Sequence, residues 1–262
     1  MKLDGAVSVV IGGANGIGKS YCESLLEKKC RVLLADIQTE VGQQTSEMLA
    51  SRYGHDQVTF RKCNGVCEVD IRETLLEAKL RWGRLDIVIN HVGILDEGNW
   101  KEVMDINIGS AILTAKVTEE ILGKNNGGPG GVMVLTASAA AVLPFPLMPI
   151  YSTSKAAVVH YVRSLMHPLH YSRHGIRMMT ICPSITKTNF INVANDRDKI
   201  GVMYEKAKEL LKMKEATNSW IQPKWVGDLL IHMLENDEEL AGTAGVLNSK
   251  TPKYYYKPRG KL

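Results

Sequence analysis

The stretch that most constrains this chain runs from Ala6 to Lys28. A short apolar run from Ala6 to Ile11 leads at once into Gly12-Gly13-Ala14-Asn15-Gly16-Ile17-Gly18, and a helical pattern begins near Lys19. In a strand, turn and helix of this order the glycines have a purpose. They permit the tight turn, let backbone lie close to a pyrophosphate, and aim helix N–H groups at it. An ordinary turn uses the same residues, so the loop alone leaves both readings open. The next apolar run, Arg31 to Asp36, ends on an acid 18 residues beyond Gly18. That is near the ~20-residue offset at which a carboxylate meets the ribose hydroxyls of NAD. Asp36 would repel a 2′-phosphate, and Ile37-Gln38-Thr39 offers no arginine to hold one, which favours NAD over NADP. Asp36 as a helix N-cap is the alternative.

The alternation continues down the chain. The pattern predicts helices near 40–53, 69–82, 100–122 and 150–172, and strands at 58–62, 85–90, 132–136 and 176–181. Strands and helices alternating at these lengths mean an α/β fold, a three-layer arrangement with a mostly parallel sheet and helices on both faces. Right-handed connections then place a ligand at the carboxyl ends of the strands. At 262 residues and 45% hydrophobic, the chain can bury a large core, and the residues 1–262 read as one domain without an internal repeat or boundary.

Composition excludes other classes. The 32 basic and 28 acidic residues are scattered, with no dense basic block before the tail, so nucleic acid is not implied. The apolar run after Met1 is too short for a secretory signal, and no stretch approaches the ~20 apolar residues of a membrane span. Cys22, Cys30, Cys63, Cys67 and Cys182 follow no framework pattern and no metal-ligand spacing. Reduced thiols in a cytoplasmic protein are the expectation.

Tyr151-Ser152-Thr153-Ser154-Lys155 is the second informative stretch. In a helix, Tyr151 and Lys155 share one face, one turn apart. An ammonium beside a phenol favours the phenolate, which turns a poor base into a plausible general acid or base near neutral pH. A tyrosine simply stacked on a lysine stem has the same spacing.

The order and spacing of these motifs together, Gly12-x-x-x-Gly16-x-Gly18, Asp36, Asn90-His91-Val92-Gly93, Asn107, Ser138, Tyr151-x-x-x-Lys155 and Pro183 to Thr188, resemble the short-chain dehydrogenase/reductase family over residues 5–190. Gly83-Arg84-Leu85-Asp86, Asn99-Trp100, the turn 125–131 and Ile181-Cys182-Pro183 are similar to its branch of NAD-dependent hydroxyprostaglandin dehydrogenases and insect alcohol dehydrogenases. The resemblance implies a seven-stranded Rossmann sheet and a homodimer or homotetramer. It implies that Tyr151 exchanges the proton of the substrate hydroxyl. Lys155 would lower the phenol's pKa and bond the nicotinamide ribose. Ser138 would hydrogen-bond the reacting oxygen, and Asn107 would hold a water linking Lys155 to solvent. Thr188 would bind the carboxamide, with Ile185 supplying a nearby backbone contact. Gly12, Asn15, Gly16, Ile17, Gly18, Asp36, Asn64, Gly65, Asn90, Val92 and Pro183 complete the implied cofactor set, and no metal is implied.

Departures from the family pattern cluster at that cofactor site. Ile11 stands for a usual threonine, Asn64 for an acid facing the adenine, Val92 for a small residue, and Ser184 for a glycine. They imply a loosened cofactor site and none removes a catalytic group. Met148 stands where hydroxyprostaglandin dehydrogenases carry a glutamine on the reacting hydroxyl, so prostaglandin specificity is not implied. Leu143, Phe145, Met148 and Phe190 suit an apolar pocket, residues 189–222 suit a helical lid over it, and residues 251–262 form a basic tail that either frays or packs on a partner. Two functions stay open: an NAD-dependent oxidoreductase acting on a small lipophilic secondary alcohol or its carbonyl, and a catalytically weak ligand-binding or storage protein on the same fold.

Overall fold

Strand β1 (Val7–Ile11) is buried at every residue, and its alternation assigns the two faces of the sheet. Val7, Val9 and Ile11 enter one core while Val10 enters the other. The structure, a computed structural model, describes residues 1–248 and the backbone of Tyr254–Tyr256. The following elements are α1 (Gly16–Glu27), β2 (Arg31–Asp36), α2 (Thr39–Tyr53), β3 (Val58–Lys62), α3 (Glu68–Trp82), β4 (Ile87–Asn90), α4 (Trp100–Met104), α5 (Ser110–Leu122) and β5 (Gly131–Thr136). The second half contains α6 (Pro149–Leu165), α7 (Pro168–His174), β6 (Ile176–Pro183), α8 (Arg197–Ile200), α9 (Tyr204–Ala216), α10 (Pro223–Glu235), α11 (Asp237–Leu240), β7 (Ala244–Leu247) and β8 (Tyr254–Tyr256).

The sheet order is β3-β2-β1-β4-β5-β6-β7-β8. Six of the seven parallel strands lie where the sequence pattern predicts them, β7 completes the seven that the resemblance implies, and β8 adds an antiparallel edge on β7. The tail thus contributes backbone at 254–256, and the remainder of 251–262 lies outside the described residues. Helices α1, α2 and α10 cover one face and α3, α5 and α6 the other. The chain leaves β1 toward β2 on one side and returns to β4 on the other. That switch point opens a crevice at the carboxyl ends of β1 and β4, the place where open α/β sheets bind ligands.

Three local departures from the expected pattern have physical causes. The helix expected over 150–172 divides into α6 and α7, because Pro168 has no N–H for the ladder and starts a new helix, with His167 Nδ1 accepting from Leu169 N at 3.3 Å. The helix over 100–122 contains a π turn at Asp105–Gly109, a device common at functional sites. Helix α1 begins at Gly16 rather than near Lys19, so the last glycines of the loop belong to its first turn.

Candidate active site

One cavity of about 820 Å³ runs along the carboxyl ends of the strands. Gly12, Asn15, Gly16, Ile17, Asp36, Asn64, Gly65 and Val92 line one end of it. Ser138, Met148, Tyr151, Lys155, Pro183, Ile185 and Thr188 line the middle and the other end. Of the residues expected at the site, Gly18, Asn90 and Asn107 stand behind this wall rather than in it.

The glycine end is shaped for close backbone approach. Gly12 has a φ of +86° and would, with a Cβ, meet His91 main chain at 3.2 Å, while a Cβ on Gly18 would lie 1.9 Å from Gly12 O. Gly18 therefore fixes how near α1 sits to β1, which is why it is needed without facing the cavity. Asn15 is the N-cap of α1 but its side chain makes no cap bond, so the first-turn N–H groups open toward the cavity. Asp36 is 6% exposed, and its carboxylate accepts from Ala14 N and Gln38 N, both at 3.0 Å. It ties the glycine loop to the end of β2, and the N-cap of α2 is Gln38, not Asp36. These features fit a nicotinamide dinucleotide: an uncapped helix start for the pyrophosphate, a cradle that side chains would fill, and a fixed carboxylate at the ribose end.

The altered residues are accommodated by local packing. Val92 lines the cavity with its branches against Gly65; its Cγ2 would lie 2.5 Å from a Cβ there, so the missing side chain at 65 makes the room. Asn64 Oδ1 already accepts from Val66 N at 3.2 Å, so its carbonyl serves its own turn as well as the cavity. Asn90 is turned away from the cavity altogether. Its Nδ2 donates to Ser110 Oγ (2.8 Å) and Thr114 Oγ1 (2.7 Å) on α5, and its Oδ1 accepts from Val92 N (3.1 Å). It supports the 91–93 loop from behind. Burial pushes the imidazolium of His91 down to about 3, so the ring is neutral, edge-on to Tyr21 at 5.7 Å.

At the middle of the cavity, α6 presents Tyr151 and Lys155 on one face, with Lys155 Nζ 5.8 Å from the phenol ring centre. Lys155 donates to Thr136 O at 3.2 Å, at the end of β5. Ser138, two residues on, hydrogen-bonds the phenol and accepts from Ala140 N at 3.2 Å. Asn107 lies in the π turn and is 1% exposed. Its Oδ1 accepts from Ile94 N (2.7 Å), and its Nδ2 donates to Ile94 O (3.0 Å) and Ser154 Oγ (2.9 Å). Both Nδ2 hydrogens are thus taken up by protein groups, and Oδ1 has one acceptor position beyond the Ile94 bond.

Burial sets the balance at Tyr151 and Lys155 in the free protein. Burial pushes the phenol up to about 12, against the Ser138 hydrogen bond, and drives the Lys155 ammonium down to about 8. Lys155 is buried and Tyr151 half-buried at the cavity wall, and loss of hydration disfavours both charges at once. At neutral pH the free protein therefore holds a neutral phenol beside a lysine that still carries most of its charge.

A functional group that the sequence did not reveal is Glu97. Its carboxylate accepts from Ile150 N and Tyr151 N at 3.0 and 2.9 Å. The signal was indirect: a helix opening on Met148-Pro149 has no capping side chain of its own and needs one from elsewhere. Beyond Tyr151 the cavity is apolar, lined by Leu95, Leu143, Phe145, Met148, Phe190 and Leu210. Residues of the 189–222 segment form its outer wall, and Phe190 lies 6.2 Å from Tyr151, ring centre to ring centre. Among the described residues no group of three His, Cys, Asp or Glu side chains is placed to hold a metal, and no helix is long and apolar enough to cross a membrane.

Comparison with known proteins agrees with this geometry. The family model described as short chain dehydrogenase matches residues 6–199. The 15-hydroxyprostaglandin dehydrogenase [NAD(+)] of Mus musculus is 28% identical over 237 residues, 90% of this chain and 88% of its own. Alcohol dehydrogenase 2 of Ceratitis capitata is 27% identical over 264 residues, covering 98% and 99% of the two chains. Among solved structures, a short-chain dehydrogenase/reductase from Burkholderia phymatum in complex with NAD superposes with a TM-score of 0.77 at 19% identity, covering 90% of this chain and 88% of that one. The sheet order, the glycine cradle and these matches agree, and the chain belongs to the short-chain dehydrogenase family of nicotinamide-dependent oxidoreductases.

Proposed function

We propose that the protein interconverts a lipophilic secondary alcohol and its carbonyl with NAD(H), using Tyr151 as the acid and base. The observation that carries this reading is the placement of Tyr151, Ser138 and Lys155 in a single cavity, between a dinucleotide-shaped end and an apolar end. The bound dinucleotide supplies the hydride acceptor or donor. The chain's own residues do the rest. Tyr151 Oη takes the hydroxyl proton during oxidation and returns it during reduction. Ser138 Oγ donates to the substrate oxygen as charge develops there, and Lys155 Nζ holds the nicotinamide ribose and carries positive charge beside the phenol. With cofactor and substrate in place, that charge offsets the burial that keeps the free phenol protonated.

The choice of NAD rests on the ribose end. Asp36, Ile37 and Gln38 line it, and among the lining residues the only lysine is Lys155 and none is an arginine, so a 2′-phosphate finds no cation there. The substrate class rests on the far end, where the lining is aliphatic and aromatic and Met148 offers no strong hydrogen bond. Residues 189–222 act as the lid. The test is turnover: with NAD and a panel of lipophilic alcohols the protein should form NADH, and Tyr151→Phe should lower kcat by about 10²–10⁴-fold. Equal rates in wild type and variant overturn the role of Tyr151.

A second reading is supported by the raised phenol and the altered residues Val92 and Ser184: a dehydrogenase fold kept for binding an apolar ligand. It requires tight binding of the alcohol or ketone without any NADH formed.

A further inference from the structure

We propose that Glu97 is the positioning residue for Tyr151 and ties the lid to the helix that carries it; the inference rests on the acid–base reading of Tyr151 above. Helix α6 opens without a capping side chain, Met148 making no such bond, and Pro149 at its first position has no N–H. The internal ladder resumes at Ser152 N, which donates to Met148 O at 3.0 Å. Only the amides of Ile150 and Tyr151 are left over, and both end on the two oxygens of Glu97 at 3.0 and 2.9 Å. One carboxylate therefore fixes the rotation of the first turn, gripping the backbone of Tyr151 itself. It also lies at the positive end of the 17-residue helix, where an anion is favoured.

The other side of the same residue holds the lid. Glu97 N donates to Lys199 O at 2.6 Å. Gly98 lies so close to the segment that a Cβ there would be 2.9 Å from Asp198 O. Ile200 follows and is 2% exposed, packed with Leu95 and Met148. A shift of the 196–200 strap on substrate binding thus pulls on the main chain of Glu97, and its carboxylate passes the shift to the amide of Tyr151. Small misplacements of a reacting group are costly to rate, which makes this link a control on turnover.

The two sides are separable by experiment. With the alcohol found active in the panel, Glu97→Ala should lower kcat roughly 10–100-fold and leave the KM for NAD within about twofold. Glu97→Gln, which keeps one carbonyl oxygen, should recover part of kcat. A lower melting temperature with unchanged kcat overturns the proposal, since the carboxylate is then only a cap. Gly98→Ala loosens the lid side without touching the carboxylate, and hydrogen exchange at the Ile150 and Tyr151 amides should then quicken by about fivefold or more. Unchanged exchange there overturns the tie whether or not the wild type turns over. Absence of NADH from the wild type, with exchange quickened as stated, instead removes the acid–base reading and leaves the tie standing.

Discussion

The two ends of the cavity are built from different materials. At the glycine end the wall is mainly backbone: Gly12, Gly16 and the start of α1, with Asp36 held by two main-chain amides. At the far end it is side chain: Leu143, Phe145, Met148 and Phe190, of which Leu143 and Phe190 are 67% and 42% exposed. Backbone walls accept few substitutions, because a Cβ at Gly12 or Gly18 meets main chain that only a moving strand or helix could clear. Side-chain walls can be recut residue by residue. The difference teaches why the cofactor class is shared across a family while the substrate is not.

The comparison can be broken most directly at Gly18. Its Cβ would meet Gly12 O at 1.9 Å, so Gly18→Ala should cost about 3 kcal/mol or more in denaturant unfolding and abolish dinucleotide binding. Tolerance of that change would show that α1 is free to move off β1 and that the wall is not rigid.

Between the two ends stands Lys155, whose ammonium is taken down from 10.5 to about 8 by burial. Below pH 8 both folded and unfolded chains carry the charge, and the folded chain bears the full desolvation penalty. As pH rises from about 8 to 10.5 the unfolded chain alone stays protonated, so this group's penalty is relieved and stability increases. Lys155→Met should therefore stabilise the free protein at pH 7 by on the order of 1–3 kcal/mol while removing turnover. The gain in melting temperature over wild type should shrink toward pH 10. A variant that is less stable at pH 7 would mean the ammonium is well solvated in the free protein.

The smallest effect concerns the altered residues. If volume has passed from position 65 to position 92, Gly65→Ala alone should cost about 1–2 kcal/mol, and much less in a Val92→Ala background. A double-mutant cycle by chemical denaturation measures that coupling, and strict additivity would contradict the exchange.

Much of this was legible in the sequence for a reason that also explains the failures. Strands buried on both faces read as continuous apolar runs, so β1, β2, β4, β5 and β6 were recognisable from composition, and the Gly12–Gly18 turn with Asp36 fixed the cavity's position. Features set by distant contacts were not legible. The π turn at 105–109, Asn90 turned toward α5, and Glu97 capping a helix whose tyrosine lies 54 residues on depend on tertiary packing. The helix break at Pro168 is written in the sequence, but the apolar periodicity on either side of the proline continues across it and masks the break. The Tyr151–Lys155 face was right in geometry, but the sign of the free phenol's shift depends on burial, which spacing does not report.

The central claim is that a working NAD site lies beside Tyr151. Calorimetric titration of the protein with NAD and with NADP tests it most directly. The account predicts NAD binding near the micromolar range and NADP at least about tenfold weaker, a gap that closes in Asp36→Ala. No heat of binding with NAD even at millimolar concentration would contradict it.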